Sequence, residues 1–255
     1  MASYDYDLGP HGRAITTASP EAQRWFDRGL NWTYAFNREE ARRCFERAIE
    51  HDPACAMAHW GVAYAAGPYY NLRWDMLTDP ARVDMVATCY AASQRALALV
   101  EGATPAEQAL ITALTARYPQ AVPVEDCRVW NDDYADAMRA VYHDYAGDLD
   151  IAALFAEALL NRTPWQLWDL PTGQPAAGAS TLEARAALER ALADPASHIH
   201  PGVLHQYIHL MEMSPEPERA LRAADWLREL VPDAGHLRHM PTHIDVLCGN
   251  YHAVV

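Results

Sequence analysis

Residues 22–53 read AQRWFDRGLNWTYAFNREEARRCFERAIEHDP, and this stretch decides the fold. Its first half carries Trp25-x2-Arg28-Gly29-x2-Trp32 and its second Ala41-x3-Phe45-x2-Ala48, spacings of three and four that put these side chains on one face of a helix. Small residues at Gly29, Ala41 and Ala48 allow two antiparallel helices to approach closely, and the aromatics at 25, 32 and 45 are expected to fill the seam. Pro53 ends the second helix, since proline has no N–H to continue the ladder.

The same grammar returns near the end of the chain. Ala220, Ala224, Leu227 and Pro232 match Ala41, Phe45, Ala48 and Pro53 in offset, which sets a 34-residue unit at 201–234, and a further unit starts at Gly235. The pattern resembles the tetratricopeptide (TPR) repeat, W-x2-L-G-x2-Y…A-x3-F…P. That resemblance implies an all-α fold: a TPR-like helical-hairpin solenoid with a right-handed superhelix, irregular repeats and two loop insertions. Residues 1–18 read as an N-terminal lead-in and 19–255 as the solenoid, with the clearest units at 22–55, 201–234 and 235–255, the last truncated. A half-unit leaves an apolar helix face uncovered, so the sequence reads as part of a longer solenoid, the alternative being a short terminal helix acting as a cap.

Between these units the helices continue. Ser19-Pro20-Glu21, Thr104-Pro105-Ala106-Glu107 and Ser180-Thr181-Leu182-Glu183 mark helix starts, the last two as S/T-x-x-E capping boxes. Met85–Val100, Ala106–Arg117, Tyr134–Tyr145, Ile151–Leu160, Leu182–Leu192 and Pro217–Leu230 carry apolar residues at helical spacing, and no stretch reads as a strand. Two insertions rich in Pro, Gly and aromatics, 67–80 and 163–180, interrupt the array. Such loops often carry function, although Trp74, Trp165 and Trp168 could equally plug gaps between irregular repeats.

Composition excludes several chemistries. All 20 basic side chains are arginine, so there is no Schiff-base lysine and no phosphate loop of the GxxxxGK[ST] type. The net charge of −14, with no run of arginines, argues against nucleic acid or a membrane surface as partner. The first residues lack a secretory signal and no apolar run is long enough to span a bilayer. The five cysteines form no CxxC pair and fit reduced, buried thiols in a cytoplasm.

Twelve histidines are present and eight fall between 198 and 255. His205, His209 and Glu212 stand at i, i+4 and i+7 of one helix, and His236, His239 and His243 at i, i+3 and i+7 of another, so each set shares a face. His205 and His239, like His209 and His243, are one 34-residue period apart. Stacked units therefore predict His205 beside His239 and His209 beside His243, with His236 one turn below and Glu212 one turn above. Imidazoles converging from two helices suit Zn, Cu or Fe and not Ca or Mg. The metal ligands so predicted are His205, His209, His239 and His243, joined by His236 and Glu212, with Glu212 alternatively a general base for a metal-bound water. The competing readings are a polar groove that binds a peptide or protein partner without chemistry, and histidines that are merely solvated. His198 and His200 are weak additional candidates, His59 and Tyr207 read as packing residues, and His11, His51, His143 and His252 as solvated or capping.

Residues 200–214 (HPGVLHQYIHLMEMS), 232–244 (PDAGHLRHMPTHI), 57–71 and 164–169 are similar to segments of a group of bacterial TPR-repeat proteins. That resemblance implies an all-helical solenoid and carries no activity with it. Together these readings predict a cytoplasmic TPR solenoid with a histidine-rich transition-metal site in its concave groove. It would act on a small molecule or peptide as an oxygen-using or hydrolytic metalloenzyme; the rival is a non-catalytic scaffold.

Overall fold

The quoted stretch folds as α1 (Pro20–Tyr34) and α2 (Arg38–His51), a hairpin whose helices both start on a side-chain cap. Ser19 accepts from the Ala22 N–H and Asn37 from the Glu40 N–H, satisfying amides that a helix start leaves orphaned. Phe45 is the wedge of the hairpin. A Cβ at Gly29 would lie 2.7 Å from its ring, and one at Gly61 of the next helix 2.4 Å, so both positions need glycine for the helices to close on the ring. Trp25 is not in this seam. Phe26 takes the place, 5.3 Å from Phe45, because Ala22, Phe26, Gly29 and Leu30 make the inward stripe. Trp25 lies one position off that stripe, half-buried under the guanidinium groups of Arg28 and Arg47.

The computed structural model describes residues 4–254; Met1–Ser3 of the lead-in and Val255 of the last unit lie outside the described residues. After the first hairpin come α3 (Ala56–Ala66), α4 (Asp79–Ala98), α5 (Pro105–Arg117), α6 (Val129–Asp144), α7 (Leu149–Leu160), α8 (Thr181–Leu192), α9 (Pro201–Met211), α10 (Leu221–Leu227) and α11 (Gly235–Leu247). Each helix packs on those before and after it in the chain. The fold is all-helical, as the sequence predicts. None of the described helices is long and apolar enough to cross a membrane. The five cysteines are free thiols, four of them buried.

Two local expectations change. Thr104 and Glu107 form their reciprocal capping box, whereas Ser180 and Glu183 do not. The Ser180 hydroxyl accepts from Arg162 and the Glu183 carboxylate pairs with Arg139, so tertiary charge partners outcompete the local box. Within the 163–180 insertion, β1 (Trp168–Asp169) pairs antiparallel with β2 (Gln174–Pro175). Two residues per strand are too few to show an alternating pattern in sequence.

The array also closes on itself. Besides its chain neighbours, α9 packs against α1 and α7. The lead-in works as a strap: the Asp7 N–H donates to Asp233 Oδ2 at 2.6 Å, the Asp233 N–H donates back to the Asp7 carbonyl at 3.1 Å, and Leu8 is buried. With neighbours on every side, α9 is buried at all eleven of its positions, which decides the surroundings of the histidines it carries.

Candidate metal centre

α9 and α11 bring the histidines together in a register one turn away from the repeat period. His205 Nε2 lies 3.0 Å from His236 Nε2, and His243 Nδ1 donates to Glu212 Oε2, both pairs 31 residues apart instead of 34. The partner of His205 is therefore His236, not His239. Packed helices seat ridges in grooves, so a side chain can land between the positions that a 34-residue period would pair; three residues of stagger correspond to about 4.5 Å along the axis.

His205, His209 and His236 form the tight group, with one ligand atom from each lying within 4.8 Å of the others. Their hydrogen bonds fix the tautomers. His205 Nδ1–H donates to the Tyr34 carbonyl at 2.6 Å and His209 Nδ1–H to Glu212 Oε1 at 2.9 Å, so in both rings the lone pair is on Nε2. His236 can satisfy His205 by donating Nε2–H, but His209 Nε2 is buried with no partner among the described residues. Burial, and then the neighbouring His209 and His236, hold His205 well below the usual imidazole pKa. Burial followed by repulsion from His209, His239 and His243 brings His236 down to about 4. Near neutral pH these two rings are unprotonated, the state a metal requires.

Glu212, at the C-cap of α9, stands behind the rings and outside the ligand group. One oxygen accepts from His209 and the other from His243. Burial opposes its ionisation, yet these two bonds outweigh burial and hold its pKa at about 2. This is the carboxylate–histidine arrangement that orients imidazole ligands and raises their basicity. On its far side His243 Nε2 meets His239 Nε2 at 2.8 Å, near solvent. The six residues singled out in sequence thus divide into an enclosed trio, an outer pair, and a carboxylate between them.

Aromatic rings enclose the trio. Phe36 stacks on His209 at 5.5 Å and on His236 at 5.3 Å, and Tyr70 and Trp165 approach His209 at 4.6 and 6.1 Å. Phe36 and Trp165 are also the two non-glycine residues with left-handed backbone among those described, φ 57° and 65°. Each such conformation costs roughly 1–2 kcal/mol, so strain is stored around the His209 ring. The face expected to line a concave groove is covered: the 67–80 and 163–180 insertions roof this face of α9, and His205 and His209 are 0 % and 1 % exposed. Trp165 belongs to this roof. Trp74 and Trp168 are buried and donate to Asn131 Oδ1 and the Leu210 carbonyl, as packing residues would.

A second buried cluster escaped sequence reading. His11 and His200 each place Nε2 3.1 Å from Asp150 Oδ1, which also accepts from the Tyr34 hydroxyl at 2.6 Å, while Oδ2 accepts from Arg13 at 3.0 Å. His11 is therefore packed inside and not solvated. No spacing could have signalled this, because the lead-in, α7 and α9 meet only through closure of the array. The geometry is that of a hydrogen-bond hub. The Val203 N–H donates to His200 Nδ1, so Nε2 carries the proton and has no lone pair for an ion. Burial opposes the charge on Asp150, but the bonds from His11 and His200 outweigh it and keep the carboxyl well below its ordinary range. Of the remaining candidates, His198 stacks on Trp226 at 3.6 Å, His59 lies 3.1 Å from the Pro53 carbonyl, Tyr207 donates to Glu189, and His51, His143 and His252 are exposed.

Comparison of the chain with protein-family models and with curated proteins finds no match in either set.

Proposed function

We propose that the chain is a TPR-like solenoid, curled closed around a transition-metal ion, that works as a metal-dependent enzyme on a small molecule. His205, His209 and His236 would be the ligands. The observation that carries this reading is His209 Nε2: a buried lone pair, oriented by Glu212, aimed among two other imidazoles and given no hydrogen bond. A buried polar atom without a partner costs roughly 1–3 kcal/mol, and a shared cation removes that cost. Three imidazole ligands leave a coordination position open, which suits catalytic sites better than closed structural ones. Imidazoles without a carboxylate or thiolate ligand favour zinc or copper over non-haem iron. A cavity of about 600 Å³, with Phe36, Tyr69 and His236 among its walls, gives a small molecule a way in. A partner-peptide groove has less support, because the histidines of α9 are enclosed.

The test is elemental analysis of untagged protein. About one equivalent of zinc or copper is expected. It should be lost in His209→Ala and His236→Ala and retained in the His239→Ala/His243→Ala double variant. Metal well below one equivalent in the parent protein, or content indifferent to His209 and His236, overturns the proposal.

A further inference from the structure

The two insertions meet a second time, away from the histidines. Pro68, Tyr69, Arg73 and Trp74 of one and Thr163, Pro164 and Gln166 of the other line a cavity of about 250 Å³ whose inner wall includes Arg117, Asn131 and Asn161. Four arginines and a single carboxylate, Asp75, are the charged residues of this lining, in a chain of net charge −14. The rim guanidinium groups are paired, Arg73 with Asp75, Arg128 with Asp126 and Arg162 with Asp132.

Arg117 is different. It ends α5, is 1 % exposed, and sits among the rings of Tyr64, Tyr118 and Tyr134 at 5.0–6.0 Å. One nitrogen donates to the Pro68 carbonyl at 2.8 Å, while Nε and the other terminal nitrogen have no partner. The neighbouring buried carboxylate is Glu157, and both its oxygens are taken, by Arg38 and by the Tyr64 hydroxyl. Two buried guanidinium groups thus share one carboxylate, leaving a positive charge in excess where an uncompensated charge is costly. Beside it, Asn161 is 4 % exposed with both amide atoms unpartnered, and the Thr163 hydroxyl is unpartnered too. Asn131 holds this corner in place by donating to the Asn161 carbonyl at 2.9 Å.

We propose that this cavity is a binding site for a small carboxylate that also carries a hydroxyl or amino group. The carboxylate neutralises Arg117 and accepts from the Asn161 amide nitrogen and the Thr163 hydroxyl. The second group of the ligand donates to Asn161 Oδ1, an acceptor that a plain anion would leave unsatisfied. The site stands on different residues from the histidine trio and does not depend on metal being bound there.

Calorimetric titration of metal-free protein at fixed ionic strength, with acetate, glycolate and inorganic phosphate as separate probes, tests this. Saturable binding of glycolate is expected, about tenfold tighter than acetate and tighter than phosphate, reflecting the extra buried hydrogen bond. Arg117→Gln should abolish it. Because that change touches the core, Asn161→Leu and Thr163→Val give an independent reading: Asn161→Leu should erase the preference for glycolate over acetate, and Thr163→Val should weaken both. Absence of saturable heat, preference for phosphate, or affinities unchanged in Asn161→Leu and Thr163→Val each overturns the assignment.

Discussion

Replacing Glu212 by Gln keeps its shape and removes the one property on which the histidine array depends. The carboxylate accepts two N–H groups at once, from His209 and from His243. An amide has one carbonyl oxygen and one NH2, so it can serve only one of them. The ring that faces the NH2 must turn its Nδ1 lone pair toward it and move its own proton to Nε2. If that ring is His209, the buried Nε2 lone pair is lost from the trio. If the amide turns the other way, His209 keeps its tautomer but exchanges a charge-assisted hydrogen bond for a neutral one of about half the strength. Either way a loss of 10- to 100-fold in metal affinity is expected, about 1.4–2.8 kcal/mol. Titration of metal-free protein against a chelating dye of known affinity measures it, with circular dichroism melting as the check that the fold is intact. An affinity within about twofold of the parent, in a folded variant, would refute the argument that Glu212 orients these ligands.

Two further predictions concern the scaffold. Asp150→Asn should destabilise the protein by roughly 1–3 kcal/mol near neutral pH, since Arg13 keeps Asp148 but loses its second carboxylate, and two histidines are left facing a neutral amide. Asp150 has a depressed pKa in the fold, so its stabilisation is present above the ordinary carboxylate pKa and lost as pH falls through the lower folded value. Chemical denaturation at a series of pH values should show the gap between parent and variant narrowing below about pH 4; a constant gap would contradict the linkage. Gly61→Ala should lower Tm despite a gain in helix propensity of up to about 1 kcal/mol, because its Cβ meets the Phe45 ring at 2.4 Å and overpacking costs about 1–3 kcal/mol. Gly102→Ala, with nothing within 4 Å, is the control, and a rise in Tm for both would remove Phe45 as the wedge.

The helices were legible in sequence because their signals are local. Periodicity and caps placed α5, α7 and α8 to within a few residues. The pairing of α9 with α11 followed from the period, but their axial stagger did not: a 34-residue spacing says which helices stand together and nothing about how far one slides along the other. His236 therefore took the place assigned to His239. Asp150 and His11 were invisible for a stronger reason, since residues 139 apart meet only when the array curls closed. The Ser180 capping box was read from a valid local pattern and lost to Arg162 and Arg139, which come from elsewhere in the fold.

Closure is also what gathers a row of histidines into one enclosed cluster. A histidine on a helix can present either nitrogen, and the sequence pattern alone leaves that choice open. For His205 the choice is made by the Tyr34 carbonyl at the last residue of α1, one of the carbonyls that a helix end leaves without an intrahelical donor. That end carries partial negative charge, so it favours a ring that points N–H toward it. Tyr34 is itself held from the other side, where its hydroxyl donates to Asp150, already engaged by Arg13 of the lead-in and by His200 at the start of α9. Gly202 makes the approach possible, since a Cβ there would lie 2.6 Å from the Tyr34 ring. In an open array α1 and α9 would not meet, and Nδ1 of His205 would have no carbonyl to bind. The Asp150 hub is thus the clasp that brings α1 onto α9, and through Tyr34 it commits the Nε2 lone pair of His205 to the trio.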